Sequence, residues 1–201
     1  MTPGAHNLSI NYFDGQKNIL IYETLLNVLA GDFPKRQFSR GAPNKNNEER
    51  LRKEKNEKLA ILARYSAETL FNREFKNPLA KMFQTDAFGI YRISKYGAYY
   101  HKGIDLRASV GTKIKSINNG RVVLAAEYLA EGKMIIIDHG RGLFSVYMHC
   151  SKILAKNGQA VKQGEVIAFS GATGNAHGPH LHFEVWICGS VIDPYQILNI
   201  L

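Results

Sequence analysis

Four histidines and one aspartate have the residue types and spacing of a metal site. His180 and His182 are two residues apart, so on a strand both imidazoles point to the same face. His101 and Asp105 supply a third imidazole and a carboxylate. Two imidazoles and a carboxylate are a common zinc ligand set, and an open fourth position makes such a site catalytic. The spacing alone does not choose between the two strand histidines as the ligand; the other one and His149 could act as acid or base.

Further motifs occur around these residues in a fixed order. They are His101-x-x-x-Asp105, Gly111-Thr112-Lys113-Ile114, Asn119-Gly120-Arg121-Val122-Val123, Asp138-His139-Gly140, Tyr147-Met148-His149, Val161-Lys162-Gln163-Gly164-Glu165-Val166-Ile167, Ser170-Gly171-Ala172-Thr173-Gly174, His180-x-His182-Phe-Glu and Asp193-Pro194. With them, the segment from about Asp86 to the C-terminus resembles the lysostaphin-type zinc metallopeptidases of family M23. That family cuts peptide bonds in peptidoglycan, so the resemblance implies a zinc endopeptidase.

The resemblance assigns roles to the five residues. It implies that His101, Asp105 and His182 bind Zn²⁺ and that His180 and His149 act beside it. We expect His180 to be the general base. His149 would stabilise the oxyanion when protonated, or orient the water, and the roles of these two histidines could be exchanged.

Aromatic residues flank the motifs and could form the walls of a peptide groove. We predict substrate contacts for Tyr99, Tyr100 and Tyr147, although tyrosines beside strands are also ordinary packing. His177 precedes the ligand strand and either lines the cleft or is a solvated loop residue. The family usually has one residue between the equivalents of Gly89 and Arg92, whereas this chain has two, so the spacing leaves the role of Arg92 near the site open.

Three further residues are predicted to be structural. His139 falls in a turn at the end of a strand, which favours a structural role. Cys150 follows His149, whereas Cys188 shares the strand parity of His182, so the two thiols should point in opposed directions. Opposed directions do not suit a disulfide, and we predict two buried free thiols.

From Asp86 onward, short apolar runs alternate with glycine-containing turns. The predicted strands are Lys113–Ile117, Gly120–Ala125, Met134–Asp138, Leu143–His149, Val166–Ser170 and His180–Trp186. This spacing predicts a mainly β protein with an antiparallel sheet. We expect this metallopeptidase domain to span residues 83–201.

The first 82 residues have a different pattern and are predicted to form a helical N-terminal arm. Apolar residues recur at helical spacing from Gln16 to Ala30, and a second helix is predicted from Glu48 to Glu74. In the second helix, Glu54 and Lys58 have the spacing of a surface ion pair. A basic loop over residues 31–47 joins the two helices. The apolar stripes should pack on the catalytic domain or on another chain, so the arm could cap the groove or bind a homologous or regulatory partner.

The charge and hydropathy of the chain limit which classes of partner and which cellular location can be expected. The formal net charge is +9, and residues 35–82 hold most of the excess, with 13 Lys/Arg against six acidic residues. A solvated helix face or attraction to an anionic polymer would explain this excess, but no base-reading motif accompanies it, so nucleic acid is not expected. No run reaches the roughly 18 apolar residues that span a bilayer. A wall-active enzyme is exported to the periplasm or cell wall, where it can affect cell shape, so we expect that a native leader or anchor is absent from this sequence.

A second class of function has to be weighed against the enzyme. Proteins of the same fold can be catalytically silent modules that bind the wall or regulate other enzymes. Such proteins typically lack ligand residues, whereas all five expected positions are filled in this chain. The sequence therefore favours the enzyme.

Overall fold

The computed structural model describes residues 4–13, 18–28, 33–37, 47–94 and 97–198. The elements in chain order are β1 (Gly4–Phe13), β2 (Asn18–Val28), β3 (Lys35–Gln37), α1 (Glu48–Leu62), β4 (Gln84–Asp86), β5 (Tyr91–Ser94), β6 (Gly97–Tyr100), β7 (Ile104–Arg107), β8 (Lys113–Lys115), β9 (Gly120–Tyr128), β10 (Gly132–Gly140), β11 (Leu143–Ile153), β12 (Ala160–Val161), β13 (Val166–Ser170), β14 (His180–Ile187), β15 (Ser190–Ile192) and α2 (Tyr195–Leu198). The chain forms two compact units, residues 1–34 and 35–201. The boundary predicted at residues 82 and 83 falls inside the second unit, and independent folding of residues 83–201 stays a prediction.

The first unit is a hairpin of β1 and β2, so the helix predicted from Gln16 to Ala30 is wrong. The two strands pair antiparallel, with Gly4 opposite Val28 and Phe13 opposite Asn18. Ile, Tyr, Thr and Val favour a pleated strand as much as they fit a helical stripe, and the turn signal Asp14-Gly15 falls between the strands. The apolar pattern allowed both a helix and a strand, and pairing of the 11-residue β2 with the 10-residue β1 decided for the strand.

The second unit is built on a ten-stranded sheet, and the predicted mainly β antiparallel fold is confirmed. Its main path runs β12-β9-β10-β11-β14-β7-β4, with β13 bridging β11 and β8, and β15 pairing with β14. All six strands predicted in the catalytic domain are present, and Val166–Ser170 has the predicted bounds. A separate three-stranded sheet has the order β3-β5-β6, in which β3 runs parallel to β5.

Apolar side chains alternate between two cores, one on each face of the main sheet. One core contains Ile104, Ile137, Tyr147 and Phe183, all fully buried. The other contains Met134, Met148 and Trp186, together with Ile61 and Leu62 of α1. Helix α1 therefore covers one face of the sheet that carries the candidate ligands.

Helix α1 begins at the predicted residue but ends at Leu62 rather than at Glu74. After it, the backbone bonds to the turn between β10 and β11: Leu70 N–H donates to the carbonyl of His139, and Arg141 N–H donates to the carbonyl of Ser66. These bonds give the backbone after Leu62 hydrogen-bond partners without a helix. The segment up to Glu74 is therefore not helical, although its apolar residues have helical spacing. Within the basic loop predicted over residues 31–47, Lys35–Gln37 forms β3 instead, and most of the remaining positions lie outside the described residues. Among the described residues, neither helix combines the length and the apolar sequence that a bilayer-spanning helix needs.

The residues predicted to be structural behave as expected in two cases of three. His139 is fully buried and its Nδ1 donates to the carbonyl of Asn119, while its Nε2 faces the hydroxyl of Ser145. Both cysteines are free, and Cys150 is buried as predicted. Cys188 is exposed, because it lies in the turn after β14 rather than inside the strand.

Candidate metal centre and substrate cleft

His101, Asp105 and His182 converge on one point, as the sequence predicted. Asp105 of β7 lies directly opposite His182 of β14, and His101 follows β6 in the loop that leads into β7. His182 Nδ1 is 2.7 Å from Asp105 Oδ1 and 3.1 Å from His101 Nε2, and His101 Nε2 is 3.2 Å from the same carboxylate oxygen. One atom from each side chain therefore faces a common centre, which is the arrangement of a metal site.

The rings of His101 and His182 each have a hydrogen-bond acceptor on the side away from the centre. These outer contacts leave the centre suited to a cation. His101 Nδ1 is 2.6 Å from the carbonyl of Ala87, which can only accept, so the ring donates there. His182 Nε2 is 3.1 Å from Glu184 Oε1 and donates there in the same way. In the neutral rings the inner nitrogens then carry lone pairs, and they meet a carboxylate oxygen. Three acceptors at hydrogen-bond distance with no proton between them need a cation, and two imidazoles with a carboxylate suit zinc.

Without a metal, a proton would take that place. Burial alone would lower the pKa of His182, but its hydrogen bonds to Asp105 and Glu184 raise the pKa to about 9. Burial would raise the pKa of Asp105, but its hydrogen bonds to His101 and His182 hold it far below the usual range. The centre therefore attracts positive charge strongly.

Arg92 contacts the candidate ligand Asp105 on the side away from the centre, a contact that sequence reasoning missed. One guanidinium nitrogen of Arg92 is 2.7 Å from Asp105 Oδ2 and 2.5 Å from Asp86 Oδ2. Arg36 of β3 approaches Asp86 Oδ1 at 2.6 Å. Partners of this kind orient metal ligands and are often as important as the ligands. The altered spacing between Gly89 and Arg92 hid this role, because β5 places the arginine at the site regardless of that count.

Glu184 contacts the candidate ligand His182 in a comparable way. It is almost completely buried, and its second oxygen accepts from Trp186 Nε1 at 2.7 Å. Burial would raise its pKa, but Lys58 and His182 lower it to about 2, so the group is ionised. The motif His180-x-His182-Phe-Glu already contains this residue, and its spacing of two from the ligand was the signal that could have revealed it.

Lys58 connects helix α1 to this network. Its Nζ lies 2.9 Å from Glu131 and 4.0 Å from Glu184, and the side chain is buried. The predicted surface pair of Glu54 with Lys58 is therefore wrong. Glu54 instead binds Arg50 and the backbone N–H of Leu129. Lys58, which lies outside the motif region, thus balances the negative charge of Glu184 behind the candidate ligand His182.

A β-bulge turns His149 toward the site. Lys133 pairs with Cys150 and Ile135 with Tyr147, so β11 has one residue more than β10 over this stretch. His149 lies in this bulge with a left-handed backbone φ of 62°. Its neighbour Met148 is opposite the candidate ligand His182, so regular alternation would point His149 to the other face. Bulges next to active sites re-aim side chains in this way.

The two histidines expected to act beside the metal lie side by side. The ring centroids of His149 and His180 are 4.8 Å apart. His149 Nδ1 donates to the carbonyl of Thr173 and His180 Nδ1 donates to that of Gly178, both at 2.8 Å. In the neutral rings both Nε2 atoms are therefore acceptors, and His180 Nε2 is 3.8 Å from Asp105 Oδ1. Burial, together with the charges of His182 and His180, lowers the pKa of His149 to about 4, which keeps it neutral near pH 7.

A cleft of about 620 Å³ opens onto the centre. Of the residues predicted to contact substrate, Tyr99 and His177 line it. Tyr100 is 55% exposed and its ring packs against Tyr91, so its substrate contact stays a prediction. The predicted contact of Tyr147 is wrong: the side chain is fully buried, and its hydroxyl accepts from the backbone N–H of Ile117. As a strand residue next to Met148, it faces the opposite core.

The site and fold match those of known proteins. Residues 99–194 match the model of peptidase family M23, and this segment includes the three candidate ligands and both neighbouring histidines. The segment therefore forms a domain of peptidase family M23. The family is described by its peptidases, and the grouped side chains of His101, Asp105 and His182 are compatible with the metal that the match implies.

Curated relatives share this domain. An uncharacterized metalloprotease of Buchnera aphidicola is 36% identical over 140 residues, which cover 70% of this chain and 33% of the relative. Peptidoglycan DD-endopeptidase ShyB of Vibrio cholerae is 39% identical over 93 residues, covering 46% and 22%. Murein hydrolase activator EnvC of Escherichia coli is 36% identical over 98 residues, covering 49% and 23%. The matches thus extend over only a third or less of the length of these relatives.

Solved structures agree with the fold. A peptidase M23 structure from Pseudomonas aeruginosa superimposes with a TM-score of 0.77 at 26% identity, covering 100% of this chain and 76% of that one. A zinc-containing peptidase from Vibrio cholerae gives a TM-score of 0.55 at 34% identity, covering 62% and 39%.

Proposed function

We propose that this chain is a zinc-dependent endopeptidase that hydrolyses peptide stems or cross-links of bacterial peptidoglycan. The observation that carries the proposal is the convergence of one possible ligand atom each from His101, Asp105 and His182, beside the rings of His149 and His180. The match to a peptidoglycan endopeptidase supports the substrate, and the zinc-containing peptidase supports the metal. Action on peptidoglycan would place the protein outside the cytoplasm, in the periplasm or facing the wall.

The residues have separate roles in the proposed reaction. His101, Asp105 and His182 would hold the metal, and zinc there would lower the pKa of a water to about 7 and polarise the peptide carbonyl. His180 accepts the proton of the attacking water at Nε2 and returns it to the leaving nitrogen. His149 is held neutral, which favours orienting the water over stabilising an oxyanion as a cation.

Metal content and hydrolysis test this proposal together. We expect one equivalent of zinc by X-ray fluorescence or mass spectrometry, and release of shorter peptides from purified peptidoglycan that a chelator abolishes. Restoration of activity by added zinc is the matched control. Zinc-loaded protein that leaves purified peptidoglycan intact would overturn the proposal.

The second candidate is a regulatory module, favoured by the match to a murein hydrolase activator. The same measurements separate the two. A regulator would bind no stoichiometric zinc and would raise the rate of a peptidoglycan hydrolase added to the assay. The complete ligand set and the buried partners behind it support the enzyme over this candidate.

A further inference from the structure

Arg107 differs from the other two arginines in the cleft. Arg36 and Arg92 both contact Asp86, and Arg92 also contacts Asp105. Arg107 is exposed, and its guanidinium lies 4.2 Å from the ring centroid of Phe83. Within the described part of the chain it makes no ion pair. Three arginines against two aspartates leave the cleft lining positive even before a metal is added.

The sheet register places Arg107 next to the reacting centre. It follows the ligand Asp105 by two residues on β7, so both side chains lie on the same face. It is directly opposite His180 on β14, and the Cβ atoms of such pairs are about 4.5–5.5 Å apart. Arg107 therefore lies beside the histidine that serves the leaving nitrogen in the proposed mechanism.

Stacking on Phe83 and a backbone hydrogen bond hold Arg107 in a position where it can bind a planar anion. Its N–H donates to the carbonyl of Phe83 at 2.9 Å, which fixes the backbone beside the ring. A guanidinium stacked on a ring keeps its N–H edges available, and their fork geometry matches a carboxylate.

We propose that Arg107 binds a substrate carboxylate on the carbon attached to the scissile nitrogen. This inference rests on the proposed function, because the position of the leaving nitrogen follows from the role of His180. Two substrates share this chemistry: a peptide ending in a D-amino acid, and a direct cross-link whose acceptor is a diamino acid with a free carboxyl group. A bond between glycines inside a bridge lacks the carboxylate, so Arg107 would disfavour it.

The test compares carboxylates with their amides on the zinc-loaded full chain. One pair is diacetyl-L-lysyl-D-alanyl-D-alanine and its C-terminal carboxamide. The other is a diaminopimelate cross-linked dimer with that carboxyl free or amidated. We expect the wild type to prefer a carboxylate by about ten- to a hundredfold in kcat/KM and in binding affinity measured by calorimetry, the range for a hydrogen bond to a charged group. Arg107→Gln should abolish the preference, and the pair that shows it identifies the source of the carboxylate.

Arg121→Gln is the matched control, because it removes an exposed arginine on β9 whose Nη1 donates to the carbonyl of Gly158. It should keep the preference. A preference that survives in Arg107→Gln, or a wild type that treats both members of each pair alike, would overturn the proposal. If the wild type hydrolyses nothing but its binding preference disappears in Arg107→Gln, the carboxylate site stands and the proposed function fails.

Discussion

The two candidate histidine ligands present different nitrogens to the metal. His101 faces the centre with Nε2 and His182 with Nδ1, and in each case an acceptor on the outer side determines the tautomer. The sequence indicated which residues would meet, because His101, Asp105 and His182 occur in the order typical of the family. It could not show the tautomers, which depend on the backbone of Ala87 and on the carboxylate of Glu184.

His182→Ala should abolish stoichiometric zinc binding and hydrolysis. The variant should also lose the stabilisation that a metal bound only to the native state provides, so added zinc should no longer raise its melting temperature. Metal analysis and calorimetric melting measure both effects. Full zinc occupancy in this variant would show that the ligand set is wrong.

His180→Ala and His149→Ala should each keep zinc but lose at least about a hundredfold in rate, the typical contribution of a general acid or base. The two variants act as controls for His182→Ala, because they remove an imidazole from the same cleft without removing a ligand. Rates on purified peptidoglycan, normalised to bound zinc, measure the effect. Near wild-type turnover by either variant would exclude a catalytic role for that residue.

At the scale of elements, the strands were predictable and the N-terminal segments were not. Short runs such as Val166–Ser170 are bounded by glycine turns and have one stable pairing. The segment Asn18–Val28 fits a helical stripe and a strand equally, and the partner strand β1 decided the outcome. Helix α1 was recognisable, but its two buried charges were not, because Glu54 and Lys58 bind groups far away in the sequence.

Lys58→Met should destabilise the protein and weaken zinc binding. The substitution removes the cation that Glu131 pairs with and one of the positive groups near Glu184, and breaking a buried ion pair costs about 3–5 kcal/mol in well-buried cases. A looser Glu184 should also reduce zinc affinity, by up to the roughly tenfold to hundredfold range seen for outer partners. Denaturant unfolding and competition with a zinc chelator measure the two effects. Lys53→Met on the exposed face of α1 is the control, and equal effects of both variants would contradict a specific role for Lys58.

At the scale of the whole molecule, the family domain accounts for only part of the chain. The match covers residues 99–194, whereas Arg36 of β3 and Lys58 of α1 contact the site's supporting carboxylates from outside it. The motifs of the site were readable because they occur in the order of a family that the sequence resembles. The N-terminal contributions have no such motif, so only the structure reveals them. Binding of a homologous or regulatory partner through the N-terminal segment stays a prediction.

The stability of the molecule should depend on His139 in mild acid. Burial lowers the pKa of His139 to about 4, below its ordinary 6.5, so the folded state favours the neutral ring. The neutral ring therefore makes its full contribution to the free energy of unfolding above pH 6.5. This contribution is lost as the pH falls from 6.5 toward 4, and the loss is about 3 kcal/mol.

Denaturant unfolding across this range, with a chelator present throughout, should show a steeper loss for the wild type than for His139→Gln. The difference between the two pH profiles reports the titration of His139 alone, because His149 titrates in both proteins. Parallel pH profiles would contradict the assignment.

The left-handed backbone at position 149 restricts which side chains can replace the histidine. Most side chains at positive φ cost roughly 1–2 kcal/mol, whereas histidine and asparagine are both enriched in this conformation. His149→Asn should therefore unfold near the denaturant concentration of the wild type while losing its hydrolytic rate. Backbone conformation alone does not distinguish the two residues in this bulge, whereas only the imidazole can take up and release a proton near neutral pH.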